Sequence, residues 1–399
     1  MDKPLKALLV GSSFSAAPVF FALKKYGLHV SVCGKIESDP CHQYADASYF
    51  IDYSRTDDLM QLVESNEFDF LVPTCNDYSY MSCAPVAEKH GFPGFDSVKV
   101  ATILHTKSEF RQVSKRHAIP APLFEILEEG QSIDSADLHF PVLVKPIDSF
   151  SGRGMSKVAA PADLSQAVRD AFKVSRSSRI VIEEFLSGNL HSHSAFIQDR
   201  QIAFDFFVDE FCTVYPYQVN CSNHPSVLST TIRDAVRKTI SELVDILGLS
   251  DGLLHTQFIA DKNNHWIIEC MRRCPGDNYG HLIGLSTGID YADFFVRPFL
   301  KRRLPTEQIK TTSKYYGRHT ISVDRPLVNL SFSHNIPSET LDIVPLKSSG
   351  EQLDVAPFDK LAILFVEFKD EATMLGTTPR FADFVRINEL GSNDRDRCQ

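Results

Sequence analysis

The stretch "VKPIDSFSGRGMSK", residues 144–157, decides how the middle of this 399-residue chain is read. An apolar run ends in Lys145, Pro146 keeps the chain extended, and serines and glycines then crowd around Arg153. A Walker A loop is excluded twice over, because no lysine follows the glycines and no helix begins there. What remains is a hairpin of entering strand "FPVLVKP", loop, and returning strand "GMSKVAA". Ser149, Ser151, Gly152 and Gly154 can present backbone N–H and hydroxyl donors with little obstruction, while Lys145 supplies a point charge. Alone, such a loop reads either as a phosphate cradle or as an ordinary surface hairpin.

On the C-terminal side a helix opens at Pro161, a residue suited to the first helical position, and "RIVIEEFLSG" follows as a strand ending in two acids. Apolar residues recur from Ser226 to Leu247 at Ile232, Val236, Ile240, Leu243, Val244 and Leu247, and Gly248 stops that amphipathic helix. Next, "GLLHTQFIAD" and "HWIIECM" flank Lys262, Asn263 and Asn264. If those three form a hairpin loop, Asp261 faces His265 and Gln257 lies opposite Glu269 on one face.

On the N-terminal side, "TKSEFRQVSKRHAIPAP" carries Thr106 and Glu109 at capping-box spacing and predicts one helix ending before Pro120. Before it, apolar runs "KALLVGS", "HVSVCG" and "FDFLVPT" alternate with helical patterns, which implies a doubly wound parallel sheet over residues 1–105. Gly11 stands alone after the first strand, with no GxGxxG, so a dinucleotide fingerprint is lacking. Ligands of such a sheet lie at its carboxyl ends, where Asn76 and Asp77 are the placed candidates, either as ligand contacts or as a plain Asx turn. Residues 306–399 hold strand-like pieces, "HTISV" and "LAILFVEF", and read as a smaller closing lobe.

Composition bounds the classes. A 43% hydrophobic and 23% charged content is that of an ordinary globular protein. A formal charge of −10 argues against a surface that neutralises nucleic-acid phosphates. No apolar run approaches the roughly 18 residues of a membrane span. Nine cysteines without a CxxC pair, and an N-terminus without a signal-peptide pattern, predict a soluble cytoplasmic protein with free thiols.

Taken in order, Lys107, "VLVKP", "SFSGRGMSKV", "VIEEFLSG", "HTQF" and "IIECMRR" resemble the ATP-grasp superfamily, the carbamoyl-phosphate-synthetase-like ATP-binding fold. Its carboxylate-amine and carboxylate-thiol ligase branch, which includes L-amino-acid ligases, is the nearest pattern, and the likeness covers most of residues 5–305. It implies a mixed α/β and α+β architecture: a doubly wound pre-ATP-grasp domain (1–105), an ATP-grasp domain (106–305, lobes about 120–185 and 186–305), and a C-terminal lobe (306–399).

By that resemblance Lys107 and Lys145 contact nucleotide phosphates, and the loop with Ser149, Ser151, Gly152, Gly154 and Met155 is the flap over the β- and γ-phosphates. Glu183, Glu184, Phe185 and Leu186 form the hinge that takes the adenine, and His191 stands in for a ribose-contacting glutamate that falls near Leu190. Glu269 and Gln257 hold magnesium, with manganese as a substitute ion, and a glutamine can ligate through its carbonyl oxygen. Arg273 steadies the transferred phosphoryl group, and Gly276 follows it in an "RxxG" turn. Met271 departs from the pattern where asparagine is usual; a thioether is a poor ligand for a hard cation, which leaves Asp277 or water to compensate.

The implied activity is ATP-dependent joining of a small-molecule carboxylate and an amine, with an amino acid as the expected substrate, through an acyl phosphate. Rival readings are a bicarbonate-dependent carboxylase on the same fold and a non-catalytic nucleotide binder. No nucleic acid or membrane partner is implied, and a homodimer is compatible. Two smaller features stay open. His191 and His193, alternating onto one face with His255 nearby, read either as a zinc site or as buried hydrogen-bonding residues. Tyr315, Tyr316 and Arg318 read either as substrate contacts or as packing and surface charge.

Overall fold

The computed structural model describes residues 3–131, 138–148, 154–215, 217–305, 314–328, 330–348, 350–356 and 358–389. The N-terminal sheet contains β1 (Lys6–Val10), β2 (His29–Cys33), β3 (Ala47–Tyr49) and β4 (Phe70–Pro73) in the order β3-β2-β1-β4. All its pairs are parallel, and its central strands are buried on both faces, which is why they read as unbroken apolar runs. Gly11 serves this sheet's packing. A Cβ there would lie 2.2 Å from Thr74 Oγ1, the hydroxyl that ties the end of β4 to the Val10 carbonyl. The chain leaves β4 through Asn76, whose side chain accepts from the Ser79 amide and caps helix Asp77–His90. Asp77 is thereby fixed at the carboxyl edge of the sheet.

Helix Lys107–His117 follows Thr106 as predicted, but the Thr106 hydroxyl makes no capping bond, so the expected capping box is not formed. The next sheet contains β5 (Phe124–Glu128), β6 (Val142–Pro146), β7 (Ser156–Val158) and β8 (Arg179–Glu184), antiparallel in the order β5-β8-β6-β7. The pairing of Val144 with Ser156 establishes the β6–β7 hairpin around the opening stretch. Helix Pro161–Val174 covers one face of this sheet with Leu164, Ala167 and Ala171, leaving the Lys145 face free of that helix.

The third sheet has eight antiparallel strands: β9 (Asn189–Gln198), β10 (Gln201–Phe211), β11 (Cys221–His224), β12 (Gly252–Ala260), β13 (His265–Met271), β14 (Tyr315–Ile321), β16 (Thr340–Pro345) and β17 (Ala362–Phe368). Their order is β13-β12-β9-β10-β11-β14-β17-β16. Strands β15 (Leu330–His334) and β18 (Val385–Glu389) pair apart from it. The segment read as a closing lobe therefore extends the central sheet while keeping a core of its own around Ile321, Leu364 and Phe381. Helix Thr230–Leu247 seals one face of the large sheet through Ile232, Val236, Ile240, Leu243 and Val244.

The β12–β13 hairpin closes one residue earlier than counted from sequence, with Ala260 opposite His265. A bulge between Gln257 and Phe258 then shifts the register, so Gln257 still lies opposite Glu269. Among the described residues no helix is long and apolar enough to cross a membrane.

Candidate active site

The site is built where the three sheets supply charged groups near one another. Lys107 is the first residue of its helix, and its ammonium lies 3.8 Å from the Glu269 carboxylate on β13. Gln257 donates from Nε2 to Glu210 Oε2 on β10 at 2.7 Å, which leaves its carbonyl oxygen as the atom available to a cation beside Glu269. A hard divalent ion is matched by that oxygen pair. Met271 is 4% exposed and offers only sulfur, so the donor set fits one magnesium without a protein ligand from that position. Asp277 does not compensate: its carboxylate is taken by Lys360 and by Thr320 Oγ1.

Lys145 and Glu183 are diagonal neighbours on strands β6 and β8, where Lys145 pairs with Val181 and Glu183 with Leu143, and both are nearly inaccessible to solvent. Glu183 ion-pairs with Lys145 and accepts from Arg111 Nε at 2.7 Å. Burial would push the Glu183 carboxyl up, but Arg111 and then Lys145 hold it down at about 2. Burial lowers the Lys145 ammonium, with Arg111 and Lys107 adding to the effect and Glu183 opposing it. Two cations around one carboxylate leave a positive balance, which is the arrangement a polyphosphate requires. Arg111 also donates to the Ile267 and Ile268 carbonyls, so one guanidinium ties β8 of the small sheet to β13 of the large one.

The rest of the expected hinge differs in character from residue to residue. Read without the family likeness, the two acids suggest a solvated strand end; Glu183 is instead buried and doubly paired. Glu184 is half-buried and accepts from the Leu123 amide. Phe185 carries the Lys157 ammonium 3.5 Å from its ring centroid, and Leu186 is partly exposed beside it. Gly154 and Met155 begin the return into β7, whereas Ser149, Ser151 and Gly152 lie outside the described residues.

His191 is 3% exposed, stacks on Phe258 and engages Asp209 through Nδ1 at 2.9 Å. His193 bonds Asp205 in the same way through Nε2. The conceivable zinc triad does not form. His193 pairs across the sheet with Thr256, so His255 points to the opposite face, where it bonds Ser194. No group of three metal-ligating side chains is present among the described residues.

Arg273 lies just beyond β13 and reaches the N-terminal sheet, where Nη2 meets Asp77 Oδ2 at 2.9 Å and Nε meets Oδ1 at 3.3 Å. Asp77 also holds His105 at 2.8 Å, and these two partners depress its carboxyl far below the usual range despite burial. Neighbouring Arg272 points elsewhere, bonding Asp96 at 2.6 Å and three backbone carbonyls. Gly276 has open space where a Cβ would stand. A cavity of about 440 Å³ adjoins this region, lined by Cys75, Cys274, Pro275 and Asn278 with apolar walls from Ile289 and Tyr291. A second, of about 510 Å³, runs along the 118–125 linker to Glu183 and Glu184 and touches neither Lys107 nor Glu269. The smaller cavity adjoins the segment after Arg273, and the larger one adjoins Arg111 and the Glu183–Glu184 strand end.

Sequence reading passed over Arg111, Glu210 and Arg272. Arg111 had a signal, since it sits one turn after Lys107 on the same helix face. Glu210 had another, as an acid closing the apolar run "FDFFVDEF". It is 5% exposed, and burial raises its carboxyl against the opposing charge of Arg318.

Residues 115–277 match the family model described as D-ala D-ala ligase C-terminus. The chain is 26% identical, over 315 residues, to the formate-dependent phosphoribosylglycinamide formyltransferase of Prochlorococcus marinus (strain MIT 9303), covering 76% of this chain and 78% of that one. The L-amino acid ligase from Bacillus licheniformis superposes with a TM-score of 0.79 over 98% of this chain and all of that one, at 17% identity. The biotin carboxylase domain of 2-oxoglutarate carboxylase from Hydrogenobacter thermophilus, solved with MgADP, ADP and bicarbonate, superposes with a TM-score of 0.73 over 92% and 87% at 18% identity.

Proposed function

We propose that this chain, whose fold is that of ATP-grasp proteins, is an ATP-dependent ligase that joins a carboxylate to an amine through an acyl phosphate, releasing ADP and phosphate. The observation that carries this reading is the meeting of Lys107, Glu269 and Gln257, with Arg273 at the end of the same strand. Those groups combine two fixed cations with a hard-oxygen pair.

In the first step a carboxylate oxygen of the substrate attacks the γ-phosphorus in line, and the bond to the ADP oxygen breaks. Lys107 and Lys145 bind the phosphates, and the 149–155 loop is assigned to cover them. Glu269 and Gln257 would hold magnesium, which when bound neutralises phosphate charge and aligns the phosphoryl group. Lys145 is oriented by Glu183, which Arg111 in turn holds ionised. In the second step the amine nitrogen attacks the acyl carbon, a proton leaves the nitrogen, and phosphate departs. Arg273 would stabilise charge on the carbonyl oxygen once Asp77 shares it with the substrate. Positioning and charge neutralisation supply the rate, with no covalent step on the protein.

Glu183, Glu184, Phe185 and Leu186 are assigned to the adenine, His191 to the ribose, and Gly276 to room beside the acyl group. Substrate identity is tested by phosphate release with Mg-ATP across a matrix of carboxylates, formate and amino acids included, against amines, with Glu269→Gln as control. Release above that control supports the ligase. Bicarbonate-dependent release without an added carboxylate would point to the carboxylase, and tight ATP binding without release in any mixture to a nucleotide binder.

A further inference from the structure

Among the described residues three arginines are buried outright: Arg111, Arg272 and Arg318. A buried charge costs several kcal/mol unless it is paired. Arg111 meets Glu183 at 2.7 Å and Arg272 meets Asp96 at 2.6 Å. Arg318, 3% exposed, bonds only neutral oxygens: Nη1 donates to the Asp277 carbonyl at 3.1 Å and Nη2 to Ser222 Oγ at 2.8 Å. Its Nε is buried with no acceptor. Asp277, the carboxylate on the contacted loop, is committed to Lys360 and Thr320, and Glu210 is engaged by Gln257.

Cross-strand registers place Glu269, Gln257 and Ser192 in one row, and Glu210, Ser222 and Arg318 in its continuation. The Gln257–Glu210 bond joins the two halves. Arg318 thus shares a sheet face with the proposed cation ligands, several strands away, and its Nη1 bond reaches the loop that follows Arg273. A planar donor fork with an unused N–H matches a carboxylate or phosphate better than any neutral group.

We propose that Arg318 and Ser222 form an anion subsite for the acceptor: they bind a carboxylate or phosphate on the substrate other than the group that is activated. This rests on the ligase reading above and narrows it, because a neutral amine or free ammonia would leave Arg318 unpaired. The substrate class is an acceptor that carries its own anionic group.

The test measures binding of inorganic phosphate and of malonate by calorimetry to the full chain pre-saturated with MgADP, in wild type, Arg318→Met, Arg318→Lys and Ser222→Ala. Wild type is expected to bind at least one anion. Arg318→Met should weaken it by roughly tenfold or more, Arg318→Lys should recover part, and Ser222→Ala should cost a few-fold. MgADP affinity should stay within about twofold in all of them, because no variant removes a nucleotide contact. A preference for phosphate identifies a phosphorylated acceptor, and a preference for malonate a carboxylated one. The proposal is overturned if neither anion binds wild type, or if binding is unchanged by the substitutions. Should Arg318→Met not fold, unchanged affinity in both Arg318→Lys and Ser222→Ala overturns it equally. Failure of MgADP to bind wild type would instead contradict the ATP-dependent function, a separate readout.

Discussion

Arg111 and Arg318 are both buried, yet they live in opposite electrostatic settings. Arg111 is saturated, with one carboxylate and two backbone carbonyls around it, and it joins two sheets. Arg318 has two neutral acceptors and a spare donor. The difference teaches how to separate a structural charge from a candidate functional one: the first is satisfied by the fold, while the second keeps a donor to spare.

The comparison can be broken in several ways, beginning with the chemistry both arginines are said to serve. Replacing Glu269 by Gln should reduce phosphate release by roughly 10²–10³-fold, as expected when a preorganised charge is lost from a transfer site. Steady-state ADP formation checks this.

Stability separates the two arginines next. Arg111→Met leaves Glu183 paired with Lys145 but removes the bonds to Glu183 and to the Ile267 and Ile268 carbonyls, and should cost roughly 1–3 kcal/mol, read as a lower urea midpoint. Adding Glu183→Gln should deepen the loss, because it leaves the buried Lys145 ammonium without its carboxylate. Arg318→Met removes two hydrogen bonds to neutral oxygens and a charge that faces Glu210 without an ion-pair contact, and should lower the midpoint less than Arg111→Met. Equal losses at both sites would erase the distinction.

A third effect is pH-dependent. Burial holds His224 and His319 neutral, each with its pKa lowered to about 4, Arg233 contributing to the first and Arg318 to the second. The unfolded chain takes up these protons below about 6.5, so their contribution to stability is complete above that pH and is lost as pH falls toward 4. The slope should approach 1.4 kcal/mol per pH unit for each histidine. Urea unfolding between pH 7.5 and 4.5 measures it, and Arg318→Met should make the loss smaller, because one of the charges opposing His319 protonation is gone.

The smallest change expected is at the surface. Arg303 and Asp199 pair with side chains 61% and 64% exposed, and Arg303→Ala should alter stability by less than about 1 kcal/mol.

Much of this was readable before the fold was seen, and the reasons differ by residue. The β6–β7 hairpin and the Gln257–Glu269 pairing follow from local alternation and loop length, which sequence carries directly. Even there the bulge beside Gln257 escaped, because an irregularity of one residue leaves no compositional mark. The ordered motifs from Lys107 to Arg273 gave the resemblance to the ATP-grasp superfamily. Long-range partners were hidden: Asp77 meets Arg273 across 196 positions, and Arg111 meets Glu183 across 72. The burial of Glu183 was hidden as well, since two acids at a strand end look solvated until the facing strands are known. Extension of the large sheet by β14, β16 and β17 was equally illegible, because antiparallel pairing across proline-rich spacers has no local signature.

The central claim is transfer of the γ-phosphoryl group to a substrate carboxylate. With a carboxylate and amine pair that supports turnover, the carboxylate is labelled with heavy oxygen and the released phosphate is examined by mass spectrometry. An acyl-phosphate path predicts one labelled oxygen per phosphate released. Unlabelled phosphate from a reaction that still forms the amide would contradict it.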